Sequence, residues 1–185
     1  MQKKIIQKNN TKISTRKLVL NALMIALVFL VTYLPFLHIP SPAQGYFNIG
    51  DSIIMITAIL IGRKSGFVAG AIGSSLADLA WGYYLYIPFT FIVKGLEGYV
   101  VGVITNKKSD KVSPRAIKIM SLVAGVLVMA LGYFIFQITV IRYFDKTLGV
   151  AAAVAELPGN LIQGAISAIL AYVFLKAIDK SRFYL

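Results

Sequence analysis

The sequence predicts an all-α integral membrane protein, a bundle of six transmembrane helices whose N-terminus and C-terminus are both cytoplasmic. Hydrophobic residues fill 58% of the 185 positions and charged residues only 14%, whereas soluble domains carry about 25% charged residues. The apolar residues form several runs, and the longest of these can cross a bilayer. The 19 Lys and Arg residues gather in alternate connections between the runs. Together these patterns predict one multi-pass membrane domain over residues 1–185.

The hydropathy pattern predicts six helices in this order: Leu18–Leu37, Asp51–Gly62, Gly66–Trp81, Ile87–Thr105, Ala116–Ile141 and Pro158–Asp179. Pro35 and bulky residues follow the first run where a signal peptide would have small residues, so we predict a span and not a cleaved signal. The second and third helices are short for a layer about 30 Å thick, which burial by neighbours or local thinning would accommodate. Pro158 suits the first turn of the sixth helix, where its missing N–H costs nothing.

The cation distribution predicts the orientation. Most Lys and Arg residues fall in four segments: the basic tail 1–17, the Arg63–Lys64 turn, the loop 106–115 and the C-terminal end from Lys176. The opposite side has only Arg142 and Lys146, both in the connection 142–157. Because cytoplasmic loops carry the excess of cations, 106–115 is predicted to be cytoplasmic, and 38–50 and 142–157 external. A loop as long as 38–50 is either a lid or a plain tether.

Ionisable residues inside the fourth helix indicate where function lies. Lys94 and Glu97 are three residues apart and share one face, with Thr90 one turn earlier on the same face. Charged groups at membrane depth are costly and usually face an interior or a wet cavity. They predict a polar ligand pocket. The alternative is an ion pair that ties the bundle together, although such a pair seldom stabilises more than apolar packing does.

Amides on two further helices point to the same interior. The sixth helix carries Asn160 and Gln163, and the fifth carries Tyr133 and Gln137 four residues apart. Amides both donate and accept hydrogen bonds, which suits an uncharged heterocycle with ring nitrogens and hydroxyl groups. Hydrogen bonding between helices, which is common in membrane bundles, is the alternative.

A ridge of small residues runs along the third helix. Gly66, Gly70 and Ser74 follow at four-residue spacing and end at Asp78, which permits close contact with another helix. Asp78 is either a pocket wall or a solvated helix end. Asp51, at the start of the second helix, is predicted to be an N-cap.

Several function classes are excluded by absent residues. The chain has no cysteine, which excludes disulfides, thiol catalysis and thiolate metal sites. A lone His38 builds no metal cluster, and neither a Walker A sequence nor a hydrolase motif occurs. The net charge of +12 does not indicate nucleic acid, because the cations border apolar spans and form no face. We therefore predict no catalysis, metal or cofactor in this chain.

The segment Asn48–Gly102 resembles the substrate-binding S component of energy-coupling factor (ECF) vitamin transporters, most closely the hydroxymethylpyrimidine/pyridoxine-type subgroup. The resemblance rests on Asn-x-Gly-Asp before the second helix, a Gly-rich third helix ending in Ala-Asp, and Lys-Gly-x-Glu-Gly in the fourth. Six helices and a length of 185 residues agree with that family along the whole chain.

The resemblance implies a transport subunit in the bacterial cytoplasmic membrane. Such a protein binds a vitamin outside, under the lid loop 38–50, and docks on a transmembrane coupling subunit (the T component). Two cytoplasmic ATPases use the ATP, and the S component topples to release its ligand inside. Some thiamin-binding members stack their ligand on a lid tryptophan, which this lid lacks, although Tyr46 or Phe47 would substitute.

The residues and the resemblance together predict two sets of functional positions. The substrate-binding set is Glu97, Lys94, Asn160, Gln163, Gln137, Tyr133, Tyr84, Asn48 and Phe47. The partner-interface set is Ala22, Ala26, Gly66, Gly70 and Ser74, with Ala22 and Ala26 matching the alanine motif by which S components meet the coupling subunit.

Three alternatives stay open at the level of sequence. The chain is an S component for another vitamin, or a self-sufficient secondary transporter in which Lys94 and Glu97 move protons. The absence of evident inverted halves argues against such a carrier. A membrane-embedded enzyme using Asp78 and Glu97 is the third alternative, and no motif supports it.

Overall fold

The computed structural model describes residues 14–35, 39–40, 46–107, 112–144 and 150–181, without the side chains at 141, 142 and 181. Most of the predicted basic tail lies outside the described residues, as do His38, Lys146 and parts of the loops 38–50, 106–115 and 142–157.

The described chain is helical apart from one small hairpin. Its elements, in order, are α1 (Thr15–Tyr33), β1 (Ile39–Pro40), β2 (Tyr46–Phe47), α2 (Gly50–Leu60), α3 (Arg63–Trp81), α4 (Ile87–Thr105), α5 (Pro114–Phe136), a π-helical segment (Gln137–Ile141), α6 (Arg142–Phe144) and α7 (Val150–Ser181). The strands pair antiparallel, Ile39 with Phe47 and Pro40 with Tyr46. Four helices, α1, α4, α5 and α7, are long and apolar enough to cross a membrane, and α2 is a shorter apolar helix.

Helix ends follow local capping chemistry. Ser113 caps α5, its Oγ accepting from the Ala116 N–H at 3.2 Å, and Pro114 occupies the first helical position. Gly82 ends α3 at φ +83°, and the Tyr83 N–H donates to the Asp78 carbonyl at 2.8 Å. This left-handed glycine cap turns the chain sharply between α3 and α4.

The last helix begins earlier than the sequence predicts. α7 starts at Val150, eight residues before Pro158, which lies inside the helix. Residues 150–155 are Ala-rich and favour a helix, and Pro158 removes only one backbone hydrogen bond. Membrane helices tolerate such a proline when neighbours satisfy the freed carbonyl. Residues 150–157, predicted to belong to an external loop, are therefore helical.

Glycines allow α3 and α4 to approach closely. A Cβ added at Gly70 would lie 2.3 Å from the Lys94 carbonyl oxygen, and one at Gly98 would lie 2.4 Å from that of Gly66. Gly66 and Gly70 are therefore buried inside the bundle, which corrects their prediction as a partner interface. A small-residue stripe has the same sequence pattern whether its partner is another helix of the chain or another protein.

The bundle separates into an apolar half and a polar half. Met55, Val101, Leu122 and Leu175 are buried in one apolar cluster formed by α2, α4, α5 and α7. Along α4, α5 and α7 this cluster lies at the opposite end from the predicted polar residues. The apolar cluster therefore holds together the ends of the helices opposite the polar half.

α1 lies at the edge of the bundle, against α2 and α3. Val28 and Thr32 are its buried residues, whereas Ala22 and Ala26 are exposed. The outer face of α1 is thus available to lipid or to a partner.

Candidate ligand-binding site

A cavity of about 40 Å³ opens in the polar half, between the hairpin and the helices. Its polar wall comprises Thr32, Asn48, Ser74, Asp78, Thr90, Lys94, Tyr133, Gln137, Glu156, Asn160 and Gln163. Tyr46, Phe47, Tyr83 and Tyr86 supply aromatic walls. The volume is room for about three water molecules. Residues of α1, α3, α4, α5, the π-helical segment and α7 therefore converge with the hairpin on one small polar cavity.

A buried network joins the base of this cavity to its lid. Lys94 donates to Oδ1 of Asp51, which is fully buried, and Gln163 Nε2 donates to Oδ2 of Asp51 at 2.8 Å. Gln163 Oε1 in turn accepts from the backbone N–H of Asn48 at 3.1 Å. The network connects α4, α2, α7 and the segment after β2, so the position of the lid is coupled to the buried ion pair.

Asp51 is a site residue that sequence reasoning missed. It was predicted to be an N-cap, but the structure places it inside α2 and starts that helix at Gly50. Asn48 Oδ1 accepts from the Gly50 N–H at 2.8 Å. Since that side chain satisfies the first N–H of the helix, the carboxylate of Asp51 is free to pair with Lys94.

Glu97, predicted to bind substrate, is not among the residues that line the cavity. It is fully buried, and its Oε2 lies 3.7 Å from Lys94 Nζ, beyond hydrogen-bond distance. The i,i+3 spacing correctly predicts that the two side chains share a face. Lys94 donates to Asp51, and neither carboxylate oxygen of Glu97 accepts a hydrogen bond from the described residues.

Asp78 forms a wall of the cavity, which resolves the two alternatives left open by the sequence. It is 4% exposed, and its Oδ1 accepts from the Tyr46 hydroxyl at 2.8 Å. Burial raises the pKa of the Tyr46 phenol, and the nearby carboxylate raises it further, so Tyr46 stays a neutral donor. The Tyr46 ring packs 5.1 Å from the ring of Tyr83. This contact fastens β2 to the end of α3.

The opposite wall combines α5, its π-helical extension and α7. Gln137 begins the π-helical segment and donates through Nε2 to Oε2 of Glu156. The hydroxyl groups of Thr90 and Tyr133 lie 3.1 Å apart. A π-helical turn rotates the side chains around it and is frequent at functional sites.

Glu156 is a second site residue that was missed. It was assigned to the external loop 142–157, whereas the structure places it on α7, four residues before Asn160, and buries it. The spacing of Glu156, Asn160 and Gln163 is the signal that could have found it. The spacing places Glu156 on the same face as Asn160 and Gln163 only if the helix begins before Pro158.

The hairpin covers the cavity through Phe47. A Cβ added at Gly159 would lie 2.3 Å from Phe47 Cζ, so the ring rests directly on the backbone of α7. With the Tyr46–Asp78 and Asn48–Gln163 hydrogen bonds, this contact gives the lid three attachments.

The structure brings together most of the predicted substrate-binding residues: Lys94, Asn160, Gln163, Gln137, Tyr133, Asn48 and Phe47. Tyr84 is 68% exposed and is not among the residues that line the cavity. Ser74, predicted for the partner interface, lines the cavity instead.

Membrane-length helices surround a polar cavity that the hairpin covers, which is the architecture of an integral membrane protein with an internal polar site. The chain matches, over residues 12–180, the family described as ECF-type riboflavin transporter, S component. Since the match covers most of the sequence, the chain belongs to this family and is a multi-pass transport subunit, not an enzyme. This confirms the family resemblance found in the sequence.

Two curated proteins are similar along most of their length. An uncharacterized protein in gap 3′region of Pyrococcus woesei is 37% identical over 147 residues, covering 76% of this chain and 90% of that protein. The thiamine precursor transporter HmpT of Lactococcus lactis subsp. cremoris (strain MG1363) is 28% identical over 166 residues, covering 90% and 89% respectively.

Proposed function

We propose that this chain is the S component of an ECF-type importer that captures a small vitamin or precursor, hydroxymethylpyrimidine or a pyridoxine-like heterocycle, outside the cell. The observation that carries the choice of substrate is the charge around the cavity. Among the described residues that line it, two carboxyl groups (Asp78 and Glu156) accompany a single ammonium group, that of Lys94, which is already paired with the buried Asp51.

An excess of carboxyl groups selects a ligand that donates hydrogen bonds. In a site of low dielectric, an unmatched carboxylate is costly unless a donor or a cation meets it. Asp78 Oδ2 accepts no hydrogen bond in the described part of the chain. An aminopyrimidine offers an exocyclic amine and a hydroxymethyl group to such acceptors, and its ring nitrogens accept from the amide of Asn160.

The size of the cavity supports a single-ring ligand and a lid that opens. The cavity has room for about three water molecules, fewer than the non-hydrogen atoms of a substituted single-ring vitamer, so binding requires the hairpin to lift. The three attachments of the lid are two hydrogen bonds and one ring contact, each individually weak. A heterocycle that donates to the unpaired Oδ2 of Asp78 leaves Oδ1 for the Tyr46 hydroxyl, so the hairpin can close again over the bound ligand.

The topology and partners follow the family. Six spans with both termini in the cytoplasm agree with the cation distribution of the sequence. The coupling subunit docks on the exposed face of α1 at Ala22 and Ala26, and the chain topples to release its ligand inside. Two separate ATPases hydrolyse the ATP, and this chain holds no cofactor.

Ligand identification tests the proposal. The chain is purified in mild detergent, the copurifying small molecules are identified by mass spectrometry, and binding of hydroxymethylpyrimidine, pyridoxine and riboflavin is measured by calorimetry. We expect a single-ring heterocycle to bind one to one and riboflavin to bind weakly or not at all. Tight binding of riboflavin alone would contradict the proposed substrate class while leaving the assignment as an S component intact.

Variants of the wall locate the ligand within the chain. Asp78→Asn is expected to lower affinity about tenfold to a hundredfold, because a hydrogen bond to a charged group contributes about 1.5–3 kcal/mol. Asn160→Ala is expected to lower the affinity by a smaller factor. Tyr84→Phe, outside the cavity, is the control and should leave the affinity unchanged. Full affinity in both wall variants would place the ligand elsewhere.

A further inference from the structure

A basic cleft lies at the end of the bundle opposite the lid, where α5 begins and α7 ends. Its volume is about 440 Å³, and Arg115, Lys118, Lys176 and Lys180 line it with a single carboxylate, Asp179. Lys118 Nζ pairs with Asp179 Oδ2 at 2.8 Å. Among the described residues, the other three cations form no ion pair. The cleft therefore carries a clear excess of positive charge.

An apolar groove continues from this cleft along the same two helices. It has a volume of about 370 Å³, and its walls include Leu122 and Val126 of α5 and Ala165 and Ile169 of α7. Tyr172 lines both the cleft and the groove. Small side chains at Ala165 and Ala168 leave the groove open toward the surrounding lipid. One continuous surface thus has a cationic end and an apolar end.

We propose that this surface binds one anionic diacyl phospholipid of the bilayer, with the phosphate in the basic cleft and an acyl chain in the groove. The charge complementarity selects an anionic headgroup, since basic pockets between transmembrane helices at a membrane face bind such lipids. The cleft lies at the start of α5, where the helix dipole is positive, and the first turn has no acidic residue to oppose the phosphate.

The continuity of the basic cleft with the apolar groove favours a lipid over other anions. A soluble phosphate would bind in the cleft and leave the apolar groove exposed. An acidic protein segment would pair with the cations and would not require an apolar groove beside them. A diacyl phospholipid satisfies both at once, because its phosphate lies at the interface and its chains run along the helices. Tyr172, between the two, is of the residue type enriched at membrane interfaces.

Native mass spectrometry of the full chain in mild detergent tests the proposal. The chain is titrated with phosphatidylglycerol and with phosphatidylcholine of the same acyl composition. We expect one phosphatidylglycerol to bind at least tenfold more tightly than phosphatidylcholine. In Arg115→Gln/Lys176→Gln, that affinity should fall about fivefold for each cation removed. This variant leaves the Lys118–Asp179 pair intact.

Matched controls separate this site from general effects of charge and bulk. Lys64→Gln/Lys107→Gln removes two cations elsewhere and should leave the affinity for phosphatidylglycerol unchanged. Ala165→Phe fills the groove and should weaken binding several-fold, whereas Ala155→Phe, exposed on the same helix but outside the groove, should not. Thermal unfolding of each variant verifies that it is folded.

Four outcomes would overturn the proposal. They are equal affinity of the wild type for the two lipids, an equal loss in both double variants, full-strength competition by soluble glycerol phosphate, and loss of binding to the coupling subunit in Arg115→Gln/Lys176→Gln with lipid binding unchanged. The last would identify the cleft as a protein contact. None depends on which ligand occupies the cavity beneath the lid.

Discussion

At the scale of single residues, the ion pair between Asp51 and Lys94 organises the site. Both side chains are buried, and burying two charges costs more than their attraction returns unless hydrogen bonds satisfy them. Gln163 supplies one of those bonds and links the pair to the backbone of Asn48. The pair therefore serves to fix the position of Lys94 and the lid more than to add stability.

Removal of one partner of this pair should be costly, and removal of both should be tolerated. We expect Asp51→Asn to lower the free energy of unfolding by about 3–5 kcal/mol, because Lys94 is left buried without its close partner. The double variant Asp51→Asn/Lys94→Met should recover much of the loss. Thermal unfolding in detergent measures both, in a double-mutant cycle.

The exposed pair of Lys118 with Asp179 provides the control for that cycle. The side chain of Asp179 is 62% exposed, and Asp179→Asn should change the free energy of unfolding by no more than about 1 kcal/mol. If Asp51→Asn lowered the free energy of unfolding by no more than Asp179→Asn, the Asp51–Lys94 pair would not organise the site.

At the scale of elements, the hairpin packs on α7 over the cavity, as a lid would. Phe47 rests on Gly159 because glycine at that position leaves space for the ring. Pro158, one residue earlier, interrupts the backbone hydrogen bonds of α7 at the same level. The hairpin thus contacts α7 beside its internal proline.

A methyl group at Gly159 should disturb the lid without unfolding the bundle. The atom it meets is the far end of a side chain, so we expect Gly159→Ala to displace Phe47 and to speed ligand dissociation about tenfold. Phe47→Leu in the same chain should restore slower dissociation, because the shorter side chain avoids the clash. Stopped-flow measurement of ligand release is the readout.

Tyr46→Phe is the matched variant on the other side of the lid. It removes the bond to Asp78 and keeps the ring beside Tyr83, so it should also speed dissociation. Unchanged release in both Gly159→Ala and Tyr46→Phe would show that the hairpin is a tether, the alternative left open by the sequence.

At the scale of the whole molecule, the chain has one face for its ligand and another available for a partner. The cavity lies inside the polar half, while α1 exposes Ala22 and Ala26 together with large apolar residues such as Leu23 and Leu30. Because neither alanine lines the cavity, the docking proposed at Ala22 and Ala26 should be separable by mutation from the proposed ligand binding.

We expect Ala22→Leu/Ala26→Leu to abolish copurification with the coupling subunit while leaving ligand affinity unchanged. The added bulk keeps the helices apart, since close packing requires small residues at the contact. Ala80→Leu, exposed on α3, is the control and should keep both properties. If the double variant still copurified with the coupling subunit at the wild-type level, the docking face would not include Ala22 and Ala26.

The amino-acid sequence by itself determined the membrane class, the family and the elements whose limits are local. The bounds of α4 agree with prediction, because its apolar run and its polar face lie entirely within one segment. Lys94, Gln163 and Asn160 were correctly placed in the interior, since polar groups in apolar helices have few other places to lie.

Only the tertiary structure decided which residues meet. Asp51 pairs with Lys94 from 43 positions away and with Gln163 from 112, and no local pattern encodes such a partner. Gly66 and Gly70 pack against α4 inside the chain, and Glu156 enters the cavity because α7 continues through Pro158. Helical periodicity specifies which side chains share a face, whereas the packing of one helix on another specifies what that face contacts.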